Sequence, residues 1–141
     1  MRRATLLPAA ACVLIFLVAT AFPAGCKDTP EAKFIGDAVL LTEGSTAEVA
    51  VGAEFAVALE ENPSTGYSWS YTVRPPDSVK ETAKESFYPD PQPMIGAPVV
   101  TVWKFGAVKE GEATLTFLYY RPWEKPETAV DKKVFRVKIV R

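Results

Sequence analysis

The 141-residue chain contains no histidine. That removes the general base of Ser-His-Asp and Cys-His nucleophile systems and the commonest nitrogen ligand of metal ions. Cysteine is almost as scarce. Cys12 lies inside an apolar N-terminal run and Cys26 just after it, so the rest of the chain has no internal disulfide and must be held by a hydrophobic core. There is no excess of basic charge. With Arg2 and Arg3 removed along with a leader, the 16 basic residues fall to 14 against 17 acidic ones, a net of −3. With no basic stripe either, nucleic acid is excluded as an expected partner. P-loop, dinucleotide fingerprint and EF-hand loop are all missing. Carboxylates are scattered over turns and solvated faces, Glu60-Glu61 being the only adjacent pair, and nothing singles out an acid/base couple of the glycosidase kind. These absences point to binding rather than catalysis, with no cofactor and no metal.

Long hydrophobic runs are confined to one place. After the basic start Met1-Arg2-Arg3, residues Ala9 to Phe22 are almost wholly apolar, and Ala24-Gly25-Cys26 closes the run before the charged Lys27 and Asp28. This is the layout of a secretory signal peptide, and the run is shorter than the about 20 residues a membrane-spanning helix needs. Small residues followed by Cys resemble the lipobox of bacterial lipoproteins, whose Cys is diacylated and becomes the new N-terminus. Pro23 stands where an aliphatic residue is usual. Cleavage after Ala19-Thr20-Ala21 is the alternative and would leave Cys26 as a free thiol. The expected organisation is a lipoprotein-type signal peptide over residues 1–25, a tether over 26–33 and one domain over 34–141. The protein is then exported and anchored at the cell envelope through lipid on Cys26, or else secreted or periplasmic.

The domain reads as strands separated by turn chemistry. Phe34 to Leu41 and Thr46 to Val51 are expected strands, followed by Phe55 to Glu60. Tyr67, Trp69, Tyr71 and Val73 then alternate with Ser68, Ser70 and Thr72, the period of two of a half-buried strand. Val79 to Phe87 is compatible with a short strand or a helical turn. Thr101, Trp103 and Phe105 share one face of the next strand, and Leu115, Phe117 and Tyr119 one face of another. Phe135, Val137 and Ile139 mark the last. No stretch has the periodicity of an amphipathic helix. About seven to eight short strands make this an all-β sandwich.

Three connections carry unusual residues. Asn62-Pro63-Ser64-Thr65-Gly66 is stiffened by Pro63, which fixes its own φ and extends Asn62, and by Gly66, which is free to adopt a positive φ. Tyr88 to Pro98 is a proline-rich loop containing Ile95, Gly96 and Ala97. Arg121-Pro122-Trp123 ends a strand, with Trp123 either folded over the sandwich end as a lid or exposed as an anchor.

Asn62-Pro63-Ser64-Thr65-Gly66-Tyr67, the Gly96 loop and Arg121-Pro122-Trp123 together resemble the chagasin-type inhibitors of cysteine peptidases. Ser64 replaces a Thr of the usual first motif, the third motif is intact, and the second reads Gly96-Ala97-Pro98 where Gly-x-Gly is typical. The resemblance implies an immunoglobulin-like β-sandwich with three binding loops at one end. It also implies reversible, tight-binding inhibition of papain-like cysteine proteases by a monomer. The binding residues would be Asn62, Pro63, Ser64, Thr65, Gly66 and Tyr67 in the cleft, with Ile95, Gly96, Ala97, Arg121, Pro122 and Trp123 on either side. Thr65, small and hydroxyl-bearing, suits close approach to a catalytic thiolate. A lipid-anchored, Ig-like adhesion or structural module is the competing expectation.

Overall fold

A computed structural model describes residues 29–89 and 93–141. The expected leader and Cys26 lie outside the described residues. The alternating segments resolve into eight strands: β1 (Val39–Leu40), β2 (Thr46–Ala50), β3 (Glu54–Glu61), β4 (Ser68–Arg74), β5 (Val79–Phe87), β6 (Val99–Ala107), β7 (Gly111–Tyr120) and β8 (Asp131–Val140). They form two four-stranded sheets, ordered β1-β3-β6-β5 and β2-β8-β7-β4. The short N-terminal strands β1 and β2 pair in parallel with β3 and β8, and the other pairings are antiparallel. The chain therefore crosses from one sheet to the other at every connection except the hairpins β5–β6 and β7–β8. The expected all-β sandwich is what the chain forms.

The register explains the core. Phe55 faces Phe105 across β3 and β6, and Val57 faces Trp103, so their inward side chains line up in rows. On the other sheet Tyr71 faces Phe117 and Leu115 faces Phe135. The two rows meet edge to face. Trp103 lies 5.1 Å from Phe117, and Tyr71 5.1 Å from Phe105. Such contacts add roughly 0.5–1.5 kcal/mol each beyond the area they bury. Trp103, Phe105, Leu115, Phe117 and Val137 are essentially inaccessible to solvent, which is how a sandwich holds without disulfides. At the open side Tyr71 of β4 donates its hydroxyl to Glu81 of β5, lacing one sheet to the other. Burial, and then the Glu81 carboxylate, push the phenol up to about 12, so it remains a neutral donor at any physiological pH.

One expectation needs correction. Phe34 to Leu41 is not one strand: residues Pro30–Ile35 form a short helix, α1, and only Val39–Leu40 pair in the sheet. Helix α1 also takes in residues 30–33 of the expected tether. Thr29 caps it by accepting from the Ala32 N–H at 3.1 Å, Pro30 sits in the first turn where its missing N–H costs nothing, and Gly36 ends it at φ +59°. The helix packs on the outward face of the first sheet, with the Phe34 ring 5.5 Å from Phe87 and Lys104 over its face. That face is apolar beneath it: Ala56 and Val102 point outward yet are fully buried. Val79–Phe87, left open between a strand and a helical turn, is a strand throughout. It is an edge strand whose exposed charges hide the alternation, and a bulge at Glu81–Ala83 breaks its register.

Candidate functional site

The loops after β3, before β6 and after β7 lie together at one end of the sandwich, and the contacts between them begin with Asn62. Its side-chain Oδ1 accepts from the Ser64 N–H at 3.1 Å and from the Ser64 hydroxyl, which caps the single 3₁₀ turn Pro63–Thr65. The Thr65 N–H and hydroxyl both return to the Asn62 carbonyl, at 3.1 and 2.7 Å. Gly66 then reverses the chain at φ +78°, in the left-handed region where a side chain is strained. Pro63, Ser64 and Thr65 are exposed at the tip. The turn is therefore rigid for reasons written in its own five residues. One expectation is refined: the Thr65 hydroxyl is engaged inside the loop rather than presented to a partner.

Both ends of this loop are anchored below. Glu61, the last residue of β3, accepts from the Trp69 N–H and from the buried Thr101 hydroxyl, and Trp69 Nε1 donates to the Glu60 carbonyl at 2.9 Å. The Asn62 N–H donates to the Tyr119 hydroxyl at 3.1 Å. Tyr119 is a loop-anchoring residue that sequence reasoning missed. Its place in the inward row Leu115, Phe117, Tyr119 marked it as core. Only its position at the strand end, with a polar tip, hinted at a second role.

The other two loops lock onto the first. Asn62 Nδ2 donates to the Gly96 carbonyl at 3.0 Å, joining the middle loop. That loop is itself a turn, closed by Ala97 N–H to the Met94 carbonyl at 2.9 Å with Gly96 at φ +82°. Gly-x-Gly is thus not required for a tight turn here: one glycine supplies the positive φ, and Pro98 leads into β6. On the opposite side the Arg121 guanidinium stacks over Tyr67 at 4.6 Å and pairs with Glu124 at 3.5 Å. Below it run Tyr67, Tyr119 and Trp69, successive rings 5.4 and 4.8 Å apart. Trp123 is 72 % exposed, which rules out the core-lid alternative. Its indole edge still touches the first loop, because a Cβ added to Gly66 would sit 2.7 Å from Cη2. Gly66 is needed twice, for its φ and for the indole beside it.

All twelve residues expected at the binding edge are thus within the three loops, and hydrogen bonds or packing join the loops directly. Residues 62–67 and 93–98 carry no charge, and Arg121 is paired with Glu124. The edge is neutral and partly apolar, with Met94, Ile95 and Trp123 projecting.

The bond from Asn62 to Gly96 invites a direct test. Asn62→Asp keeps the acceptor for the Ser64 N–H but replaces the donor with an oxygen facing the Gly96 carbonyl. The inhibition constant for a target is expected to rise about tenfold, the scale of one to two net hydrogen bonds. The same lost bond should lower the melting temperature by only about 4–8 °C, because no core contact changes. Measuring both for the variant and wild type checks this.

The Chagasin family peptidase inhibitor model matches residues 48–139. Chagasin of Trypanosoma cruzi is 28% identical over 86 residues, covering 59% of this chain and 78% of chagasin. Amoebiasin-2 of Entamoeba histolytica is 29% identical over 85 residues, covering 59% of this chain and 68% of its own. Among solved structures, a cysteine protease inhibitor from Entamoeba histolytica superposes with a TM-score of 0.64 at 27% identity, over 72% of this chain and 95% of that one. With its sandwich, its Asn62–Tyr67 turn and its Arg121–Trp123 corner, the chain belongs to the chagasin family of peptidase inhibitors.

Proposed function

We propose that this protein is a reversible, tight-binding inhibitor of papain-like cysteine proteases. Asn62 to Tyr67 enter the active-site cleft, while Ile95 to Ala97 and Arg121 to Trp123 brace its two rims. The observation that carries this reading is the coupling of the loops in the free chain. Asn62 holds the middle loop and Trp123 rests on Gly66, so little ordering entropy is left to lose on binding. The neutral edge suits a desolvated cleft, and the exposed Trp123 with its neighbouring Arg121 has the composition of an interface hot spot. The protein needs no nucleophile of its own because it performs no reaction; it is not an enzyme.

The test is inhibition of papain, followed with a fluorogenic substrate and extended over a panel of related proteases. Inhibition that is relieved on dilution, with the inhibitor chain left uncleaved, supports the reading. No inhibition at micromolar concentration would favour an adhesion module that uses a strand edge or sandwich face.

Export and anchoring are proposed alongside, from the basic start, the apolar run and Ala24-Gly25-Cys26. Lipid on Cys26 would place a monomeric inhibitor at the cell envelope. Mass spectrometry of the mature N-terminus should find a diacylated Cys26. An unmodified peptide beginning elsewhere would end this part of the reading and return the secreted alternative.

A further inference from the structure

Met94 lies outside the motifs that mark the binding edge. It and Met1 are the only two methionines in the chain. The Met94 side chain is 82 % exposed, and its neighbour Ile95 is fully so. Two adjacent apolar side chains held in water mark a contact surface more readily than one isolated residue does. The backbone that carries them is held in place. Met94 accepts the hydrogen bond that closes its turn, and the turn is tied through Gly96 to Asn62. Met94 and Ser64 line one shallow groove, so Met94 stands beside the loop assigned to the cleft.

We propose that Met94 is an oxidation site through which hydroperoxides weaken inhibition, an inference that rests on the inhibitory reading above. The sulfur lone pair attacks one oxygen of hydrogen peroxide, and the O–O bond breaks. The proton on the transferred oxygen passes to the departing hydroxide, which leaves as water. Sulfur is oxidised by two electrons to the sulfoxide, and the peroxide is reduced by two. The product exchanges a flexible apolar side chain for a polar, chiral one. A rim contact that formerly gained from leaving water must then strip a hydrated S=O group and supply it with a partner. Ile95, equally exposed, has no such chemistry, so sensitivity concentrates on one atom.

The experiment treats the full chain with hydrogen peroxide and removes the excess with catalase before papain is added, because the enzyme's own thiol is oxidisable. A peptide map should show one oxygen gained at Met94. The inhibition constant should rise about tenfold and return on treatment with methionine sulfoxide reductases. Met94→Leu, whatever its starting constant, should not respond to peroxide, and Met94→Gln should move toward the oxidised value. One oxygen at Met94 with an unchanged constant overturns the proposal. So does an equal peroxide response in Met94→Leu, which would place the lesion elsewhere, for instance on Trp123. Absence of inhibition by the untreated chain would overturn the inhibitory reading itself and this proposal with it.

Discussion

Trp123→Ala is expected to weaken inhibition of papain-like proteases by about 2–4 kcal/mol, the cost of truncating an aromatic interface anchor. The same change should alter fold stability by about 0.5 kcal/mol or less, the usual effect at an exposed position. The two numbers separate because of where the indole sits. It is 72 % exposed, so its removal opens no cavity in the core. A buried Trp such as Trp103 would by contrast cost about 3–5 kcal/mol of stability on truncation. Part of the binding loss is indirect. The indole edge rests on Gly66, the residue that reverses the first loop, so truncation also releases that loop on one side. Arg121 remains stacked on Tyr67 and keeps the third loop folded. Thermal melting and an inhibition constant measured on the same variant decide the matter. A large drop in melting temperature, or unchanged inhibition, would mean that Trp123 is not the anchor.

How much of this was legible in the chain depended on how local its cause was. The first loop could be read because Asn62, Pro63 and Gly66 set their own backbone angles, and the cap on Ser64 needs nothing from elsewhere. The central strands could be read because inward Trp69, Tyr71, Trp103, Phe105 and Phe117 recur at every second position, mostly against polar or small residues. Helix α1 could not, because six residues are too few to show a period and too short to be stable alone; its contact with Phe87 is what holds it. Val102 gave no signal that its outward face would be covered by that helix. Nor was β5 plain, since an edge strand can carry charge on both faces. Within the site, residue types were visible but not their pairings. The bonds from Asn62 to Gly96 and to Tyr119 span 34 and 57 residues. The contact of Trp123 with Gly66 is equally distant in sequence, and such pairings arise only when the strands beneath are in register.

Thr65→Trp should abolish most of the inhibition while the domain folds normally. Thr65 is exposed at the end of the 3₁₀ turn and no non-glycine residue in the described chain has a positive φ, so the backbone there accepts a bulky residue without strain. The change loses the hydroxyl bond to the Asn62 carbonyl, worth about 0.5–1.5 kcal/mol at most. The Asn62 cap on Ser64, the bond to Gly96 and the anchors at Glu61 and Tyr119 all remain. Binding is a different matter. An indole at the tip that enters a narrow cleft must displace the whole edge outward, separating Trp123 and the middle loop from the rims at the same time. Because the three loops are joined, the first cannot retreat alone to make room. The loss is therefore expected to reach about 3 kcal/mol or more, roughly 100-fold in the inhibition constant. Thr65→Ser, which keeps the hydroxyl and removes volume, should stay within a few-fold of wild type. Melting curves and inhibition constants for both variants form the test. Undiminished inhibition by Thr65→Trp would show that this loop is not the element that enters the cleft.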